Sequence, residues 1–179
     1  RRQEITDNLP GMLKAVAGFT SYEIVLAGAP GIDADFYRSF VEGSSLKIVY
    51  GQTFRVLSHA SAALVTSGTA TLETALFGVP QVVCYNMPLP KLMSFLRRHL
   101  LKVKYISLVN LIVDRELVRE LVAETMTVDN MRNELNNLLN NETARSQMLA
   151  GYDEMLSKLG LPDASKNAAR EMVACLRQK

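Results

Sequence analysis

Two periods of apolar residues alternate along most of the chain. Short apolar runs bounded by Gly, Pro, Ser or Thr lie at Glu23-Ile-Val-Leu-Ala27, Leu46-Lys-Ile-Val-Tyr50, Ala62-Ala-Leu-Val65 and Gln81-Val-Val-Cys-Tyr85. Their length and β-branched content predict buried strands. Between them the apolar spacing lengthens to that of a helix. Leu9, Met12, Leu13, Val16 and Ala17 fall on the inward face of a helix that Pro10 should divide or restart. Asp33 is placed to cap a short helix ending at Val41, Phe54 to His59 form another, and Leu72, Ala75 and Leu76 space a helix starting near Thr69. Gly78 and Pro80 end that helix. A helix from about Leu89 to Leu101 and a short strand at Tyr105 to Leu108 continue the series. This alternation with short connections predicts an α/β fold, a doubly wound parallel sheet with ligands at the carboxyl ends of its strands.

The pattern then changes. Val128 to Leu139, Thr143 to Leu159 and Ala164 to Leu176 read as three helices, separated at Asn140-Asn141 and at Gly160-Leu161-Pro162, with no strand pattern left. The expected organisation is an α/β domain over residues 1–127 followed by C-terminal helices over 128–179.

A chain of 179 residues with 48% hydrophobic and 21% charged residues is long enough to enclose a substantial core. Its net charge of +2 is too small to argue for nucleic acid, and none is expected. Cys84 in an apolar strand and Cys175 on a terminal helix look like buried thiols of a reducing compartment rather than a disulfide framework, and no metal-ligand spacing appears. There is no signal-peptide pattern, and no apolar run approaches the roughly 20 residues that span a bilayer. The expectation is a cytoplasmic protein.

Charge distribution says more than charge total. No acidic residue occurs between Glu73 and Asp114, while Lys91, Arg97, Arg98, His99, Lys102 and Lys104 crowd the same span. On a helical wheel Leu92, Phe95, Leu96, Leu100 and Val103 share a face that the cations flank. One reading is a surface helix with solvated cations. The other is contact with anionic lipid through Lys91, Arg97, Arg98 and Lys102, at a bilayer surface or on a phosphorylated lipid.

The densest candidate chemistry lies at Thr66-Ser67-Gly68-Thr69, between a strand and a helix. The first turn of such a helix has unpaired N–H groups and the positive end of the macrodipole, and small residues there let a phosphate approach. Gly68 has no side chain at the closest point, and Glu73, one turn on, can accept hydrogen bonds from sugar hydroxyls. The bland alternative is that Ser and Thr are ordinary caps and Glu73 an ordinary dipole complement. His59 sits beside apolar residues with nothing to complete a catalytic dyad.

Ser67-Gly-Thr-Ala-Thr-Leu-Glu73, Gly78-Val-Pro80, Val82-Val-Cys-Tyr85, Lys104-Tyr-Ile-Ser-Leu-Val-Asn-Leu-Ile112 and Asp114-Arg-Glu-Leu-Val-Arg-Glu-Leu121, in that order, resemble lipid-A-disaccharide synthase. The resemblance runs in register from Arg1 to about Leu121 and more loosely beyond. It implies one half of a GT-B type glycosyltransferase, the half that binds the UDP-sugar donor. It implies transfer of 2,3-diacylglucosamine from UDP to 2,3-diacylglucosamine 1-phosphate, giving a β-1,6-linked disaccharide and UDP, without a cofactor or metal. The partners implied are those two acylated sugars and the cytoplasmic face of the inner membrane, where the protein would be peripheral, with a homodimer through the C-terminal helices as a further possibility.

By the same resemblance Ser67, Gly68 and Thr69 would hold the diphosphate and Glu73 the ribose. Arg1 would approach the phosphates or donor sugar, Asn110 matches an asparagine near the donor, and Tyr50, Gly51 and Gln52 lie where uracil is expected. No catalytic residue is assigned within this chain, because the general base belongs to the family's N-terminal domain. Two positions depart from the family: Val109 replaces a proline and Asn86 a basic residue. The family's first strand of this domain ends just before Arg1, so an empty lane is expected between Glu23–Ala27 and Ala62–Val65. Two other classes remain compatible with the residues: another UDP-sugar enzyme of this fold, such as an epimerase or the peptidoglycan lipid glycosyltransferase, and a non-catalytic module binding anionic membranes.

Overall fold

The computed structural model describes residues 2–42, 46–66, 68–86, 104–160, 170 and 173. Its strands are β1 Val25–Gly28, β2 Lys47–Tyr50, β3 Ala63–Thr66, β4 Gln81–Tyr85 and β5 Arg119–Val122. Its helices are α1 Arg2–Val16, α2 Ala34–Val41, α3 Thr53–Leu57, α4 Thr69–Leu76, α5 Leu108–Val113, α6 Val128–Asn140 and α7 Glu142–Leu159. All strand pairs are parallel, as connection through helices requires.

The strands fall into two groups, β1 with β2 and β3-β4-β5, and β1 is not paired with β3. A doubly wound order 3-2-1-4-5-6 with its central strand left out gives these two groups. α1 ties them together. The Arg2 guanidinium pairs with Asp33, which follows β1, while Asn8 Oδ1 accepts from Asn86 N, after β4, at 2.6 Å. Asn86 Nδ2 also donates to Asp7 O at 3.1 Å. Asn86 thus fastens β4 to α1.

β4 is the most enclosed strand, with Val82, Val83 and Cys84 fully buried. Burial pushes the Cys84 thiol up to about 12. α6 packs on β3, β4, β5 and α1, while α4 lies on β3 and β4 and contacts α5 and α7. Met131 and Leu138 of α6 and Met148, Tyr152 and Met155 of α7 join Val82, Val83, Val109 and Leu121 in one core cluster. Each such side chain contributes about 1.5–3 kcal/mol on burial, so α6 and α7 are integral to the core of the strands.

Several elements differ from the sequence expectation. α1 runs through Pro10 unbroken, with Asn8, Leu9 and Ala15 buried on it. That packing outweighs the roughly 3 kcal/mol a proline costs inside a helix. Ala17, expected inward, is exposed. Residues 105–108 are not a strand: Leu108 opens α5, with Ser107 as the N-cap accepting from Asn110 N. The Ile106 and Ser107 amides point at the Glu120 carboxylate instead of a neighbouring strand. β5, unrecognised in the sequence, is a short edge strand that places Leu121 in the core directly after the charged Arg119 and Glu120. The helix expected at Leu89–Leu101 lies outside the described residues, as does that at Ala164–Leu176 apart from Arg170 and Val173, which are helical.

Candidate functional site

β3 leads into the turn before α4, and Gly68 is the N-cap of that helix. Gly68 has φ 111 and ψ −155, a conformation that an L residue resists, and a Cβ there would meet no atom within 4 Å. Among the described residues no side chain caps the helix. Two hydroxyls further along the helix donate to its own backbone. Thr71 Oγ1 donates to Gly68 O at 2.8 Å, and Thr74 Oγ1 donates to Ala70 O at 2.7 Å. The N–H groups of Thr69 and Ala70, both exposed residues, have no hydrogen-bond partner among the described residues. Open donors at the positive end of a helix are what an anion requires.

Glu73 follows one turn later on α4, half-buried, and no described side chain or amide donates to its carboxylate. A carboxylate left this way beside open N–H donors suits a ligand that brings its own hydroxyls along with its own negative charge. The first turn is braced from the core. Gln81 Nε2, at the start of β4, donates to Thr71 O at 2.9 Å and to Tyr152 Oη at 3.2 Å. Tyr152 Oη of α7 donates in turn to Val79 O at 3.0 Å. Burial raises the Tyr152 phenol well above its ordinary value. Sequence reasoning did not single out Gln81, because a glutamine opening an apolar strand carries no periodic signal.

Tyr50, Gly51 and Gln52 form the carboxyl end of β2 and the turn into α3. The Tyr50 ring is 38% exposed and lies across the end of β1, where a Cβ on Gly28 would fall 2.5 Å from its Cε1. The buried Tyr37 ring stands 6.0 Å from it and is fixed because Tyr37 Oη accepts from Ala29 N at 2.8 Å. Gly28 was not singled out in the sequence; its signal was a glycine closing a strand.

Asn110 requires a correction. It is fully buried. Its Nδ2 donates to Val118 O and Glu120 Oε1, each at 2.8 Å. Its Oδ1 accepts from Leu117 N at 2.8 Å and Val118 N at 2.9 Å. With both amide hydrogens and the oxygen occupied, this side chain supports the structure and offers nothing to a donor. Arg1, Ser67, Lys91, Arg97, Arg98 and Lys102 lie outside the described residues. The neighbouring Arg2 is engaged with Asp33 and over the Phe36 ring, 5.2 Å from its centroid.

The family model for lipid-A-disaccharide synthetase matches residues 1–175. The chain belongs to the lipid-A-disaccharide synthase family. It is 34% identical over 182 residues to the lipid-A-disaccharide synthase of Myxococcus xanthus, covering 98% of this chain and 47% of that protein. It is also 34% identical over 191 residues to that of Acidobacterium capsulatum, covering 97% and 47%. The chain therefore spans about half the length of the curated relatives it matches. In fold it is similar to the calicheamicin glycosyltransferase CalG4, with TM-score 0.56 at 20% identity over 93% of this chain and 37% of that one. The spinosyn forosaminyltransferase SpnP is comparable, with TM-score 0.55 at 18% identity over 92% and 38%. These neighbours support the α/β, GT-B type architecture. Among the described residues no helix is long and apolar enough to cross a membrane.

Proposed function

We propose that this chain is the UDP-sugar donor-binding part of a lipid-A-disaccharide synthase. The whole enzyme would transfer 2,3-diacylglucosamine from UDP to 2,3-diacylglucosamine 1-phosphate, forming the β-1,6 linkage and releasing UDP. The observation that carries the site is the start of α4: Gly68 at positive φ, with no cap and no partner for the Thr69 and Ala70 N–H groups among the described residues, and Glu73 one turn further on.

In this reading the acceptor hydroxyl attacks the donor's anomeric carbon, the bond from that carbon to the phosphate oxygen breaks, and negative charge gathers on the departing diphosphate. The α4 N-terminus is placed to stabilise that charge with fixed N–H dipoles, which need no reorganisation as the charge develops. Glu73 accepts the ribose hydroxyls. Tyr50, Gly51 and Gln52 receive the uracil, and Arg1 and Ser67 complete the phosphate side. No metal is assigned, and the general base is assigned to the part of the enzyme outside this chain. The acylated substrates and the basic stretch with Lys91, Arg97, Arg98 and Lys102 favour peripheral association with the cytoplasmic face of the inner membrane.

The test is Thr69→Pro in the full-length enzyme. Proline is well tolerated at the first position of a helix and removes one N–H. UDP affinity should fall about 10-fold, the equivalent of one hydrogen bond to a charged group, with little change in Tm. Unchanged UDP affinity in a folded Thr69→Pro variant would sink the diphosphate assignment.

A further inference from the structure

Glu120 stands on β5 opposite Val83 of β4, and its carboxylate gathers four donors from one corner of the chain. Oε2 accepts from Ile106 N at 2.9 Å. Oε1 accepts from Ser107 N at 2.9 Å, Ser107 Oγ at 2.8 Å and Asn110 Nδ2 at 2.8 Å. Ser107 Oγ then accepts from Asn110 N at 3.2 Å, so the cap of α5 and the carboxylate belong to one network. Hydrogen bonds to an ionised acceptor are roughly twice as strong as neutral ones.

α5 has six residues, far fewer than a helix needs to hold itself in water. Its placement is set from outside, by Glu120 at its N-terminus, by Asn110 on the 117–118 backbone, and by packing. α5 in turn packs against α4. Val109 and Ala75 share the core cluster, with Leu72 and Ile112 packed against it. Leu72 immediately precedes Glu73.

We infer that Glu120 is a positioning residue for the donor site, holding α5 in register so that α4 presents Gly68, Thr69 and Glu73 to the nucleotide. The inference rests on the UDP-site reading above. Glu120 itself touches no substrate in this account. The same network explains why Asn110 is buried: it is the second support of the corner that Glu120 holds.

The variants differ in what they leave behind. Glu120→Gln keeps one oxygen for Ser107 but turns an amide toward the Ile106 N–H, so one bond is replaced by a donor facing a donor. Ser107→Ala removes one hydroxyl, and with it one bond to the carboxylate and the cap on Asn110 N, while both backbone bonds to Glu120 stay in place. Each is measured in the full-length enzyme well below its unfolding transition, by UDP titration, by KM for the donor and for the acceptor, and by amide exchange at Ile106 and Ser107.

For Glu120→Gln, exchange at Ile106 accelerates, UDP affinity falls about 10-fold and donor KM rises in parallel, while acceptor KM stays within about twofold. Ser107→Ala gives the same split at about threefold, and the double variant shows less than the product of the two, because they share one network. Should Glu120→Gln fail to fold, Ser107→Ala alone decides. Faster exchange at 106 and 107 with UDP affinity and donor KM unchanged overturns the inference, since the clamp would then have opened without moving the site. Glu73→Ala run in parallel separates the two readings. If it weakens UDP binding and the clamp variants do not, only the positioning role fails. If it too leaves UDP binding unchanged, the site reading falls and takes this inference with it.

Discussion

Asn110 closes both ends of its amide on Val118, donating from Nδ2 to Val118 O at 2.8 Å and accepting Val118 N on Oδ1 at 2.9 Å. The asparagine in the family motif is therefore an internal strut that fixes the entry to β5. Asn110→Asp sets an acceptor against Val118 O and Glu120, and Asn110→Ala leaves several buried backbone groups unpaired. Either change should cost roughly 3 kcal/mol or more. Chemical denaturation of the enzyme checks this. A variant as stable as the parent but weak in nucleotide binding would restore the ligand role.

The Tyr50 ring depends on the absence of a side chain at Gly28. Gly28→Ala puts a Cβ 2.5 Å from Tyr50 Cε1 and 2.6 Å from Cδ1, so the ring must swing away, at about 1–3 kcal/mol. If Tyr50 borders the uracil, this variant should bind UDP more weakly while inorganic diphosphate competes as well as before. Competition titrations with the two ligands make the comparison. Equal losses for both would place Tyr50 away from the base.

Cys84 gives the protein an alkaline weakness. Burial raises its thiol from 9.0 to about 12, so the folded chain keeps a proton that the unfolded chain gives up. The associated stability is complete below pH 9 and is lost as pH rises towards 12, with a slope of at most about 1.4 kcal/mol per pH unit. Cys84→Ala lowers stability at neutral pH by loss of packing but flattens the decline above pH 9. Denaturation midpoints across that range test it, and parallel slopes would contradict it.

The basic stretch yields a salt-dependent expectation. Replacing Arg97 and Arg98 with Gln should weaken sedimentation with acidic vesicles, and added salt should do the same to the parent, because surface attraction is screened over about 8–10 Å. Binding that ignores both changes would leave these cations as solvated charges.

Strand and helix order through β4 was legible because β1 to β4 and α1 to α4 carry clear apolar periods and turn residues. The strand signal failed at β5, where Arg119 and Glu120 sit in a short edge strand and burial falls on Val118 and Leu121. It failed again at Tyr105–Leu108, whose β-like composition is overruled by the long-range acceptor Glu120, which local sequence does not reveal. In the site, Gly68, Thr69 and Glu73 were legible as residues of one turn and one helix, a relation that sequence spacing fixes. Asn110 was misread because motif position says nothing about which way an amide faces. Gln81 and Gly28 act on partners far away in the chain, Tyr152 and Tyr50, and only the folded structure joins them.

The central claim is that the start of α4 and the Glu73 carboxylate form one UDP site. Calorimetric titration of UDP into the full-length enzyme tests it most directly, comparing the parent with Glu73→Ala. Loss of hydrogen bonds from ribose hydroxyls to a carboxylate, each worth about 1.5–3 kcal/mol, should weaken binding by at least about 10-fold at unchanged Tm. A Glu73→Ala enzyme that binds UDP as tightly as the parent would contradict the account and leave α4 a helix whose open N-terminus holds no nucleotide.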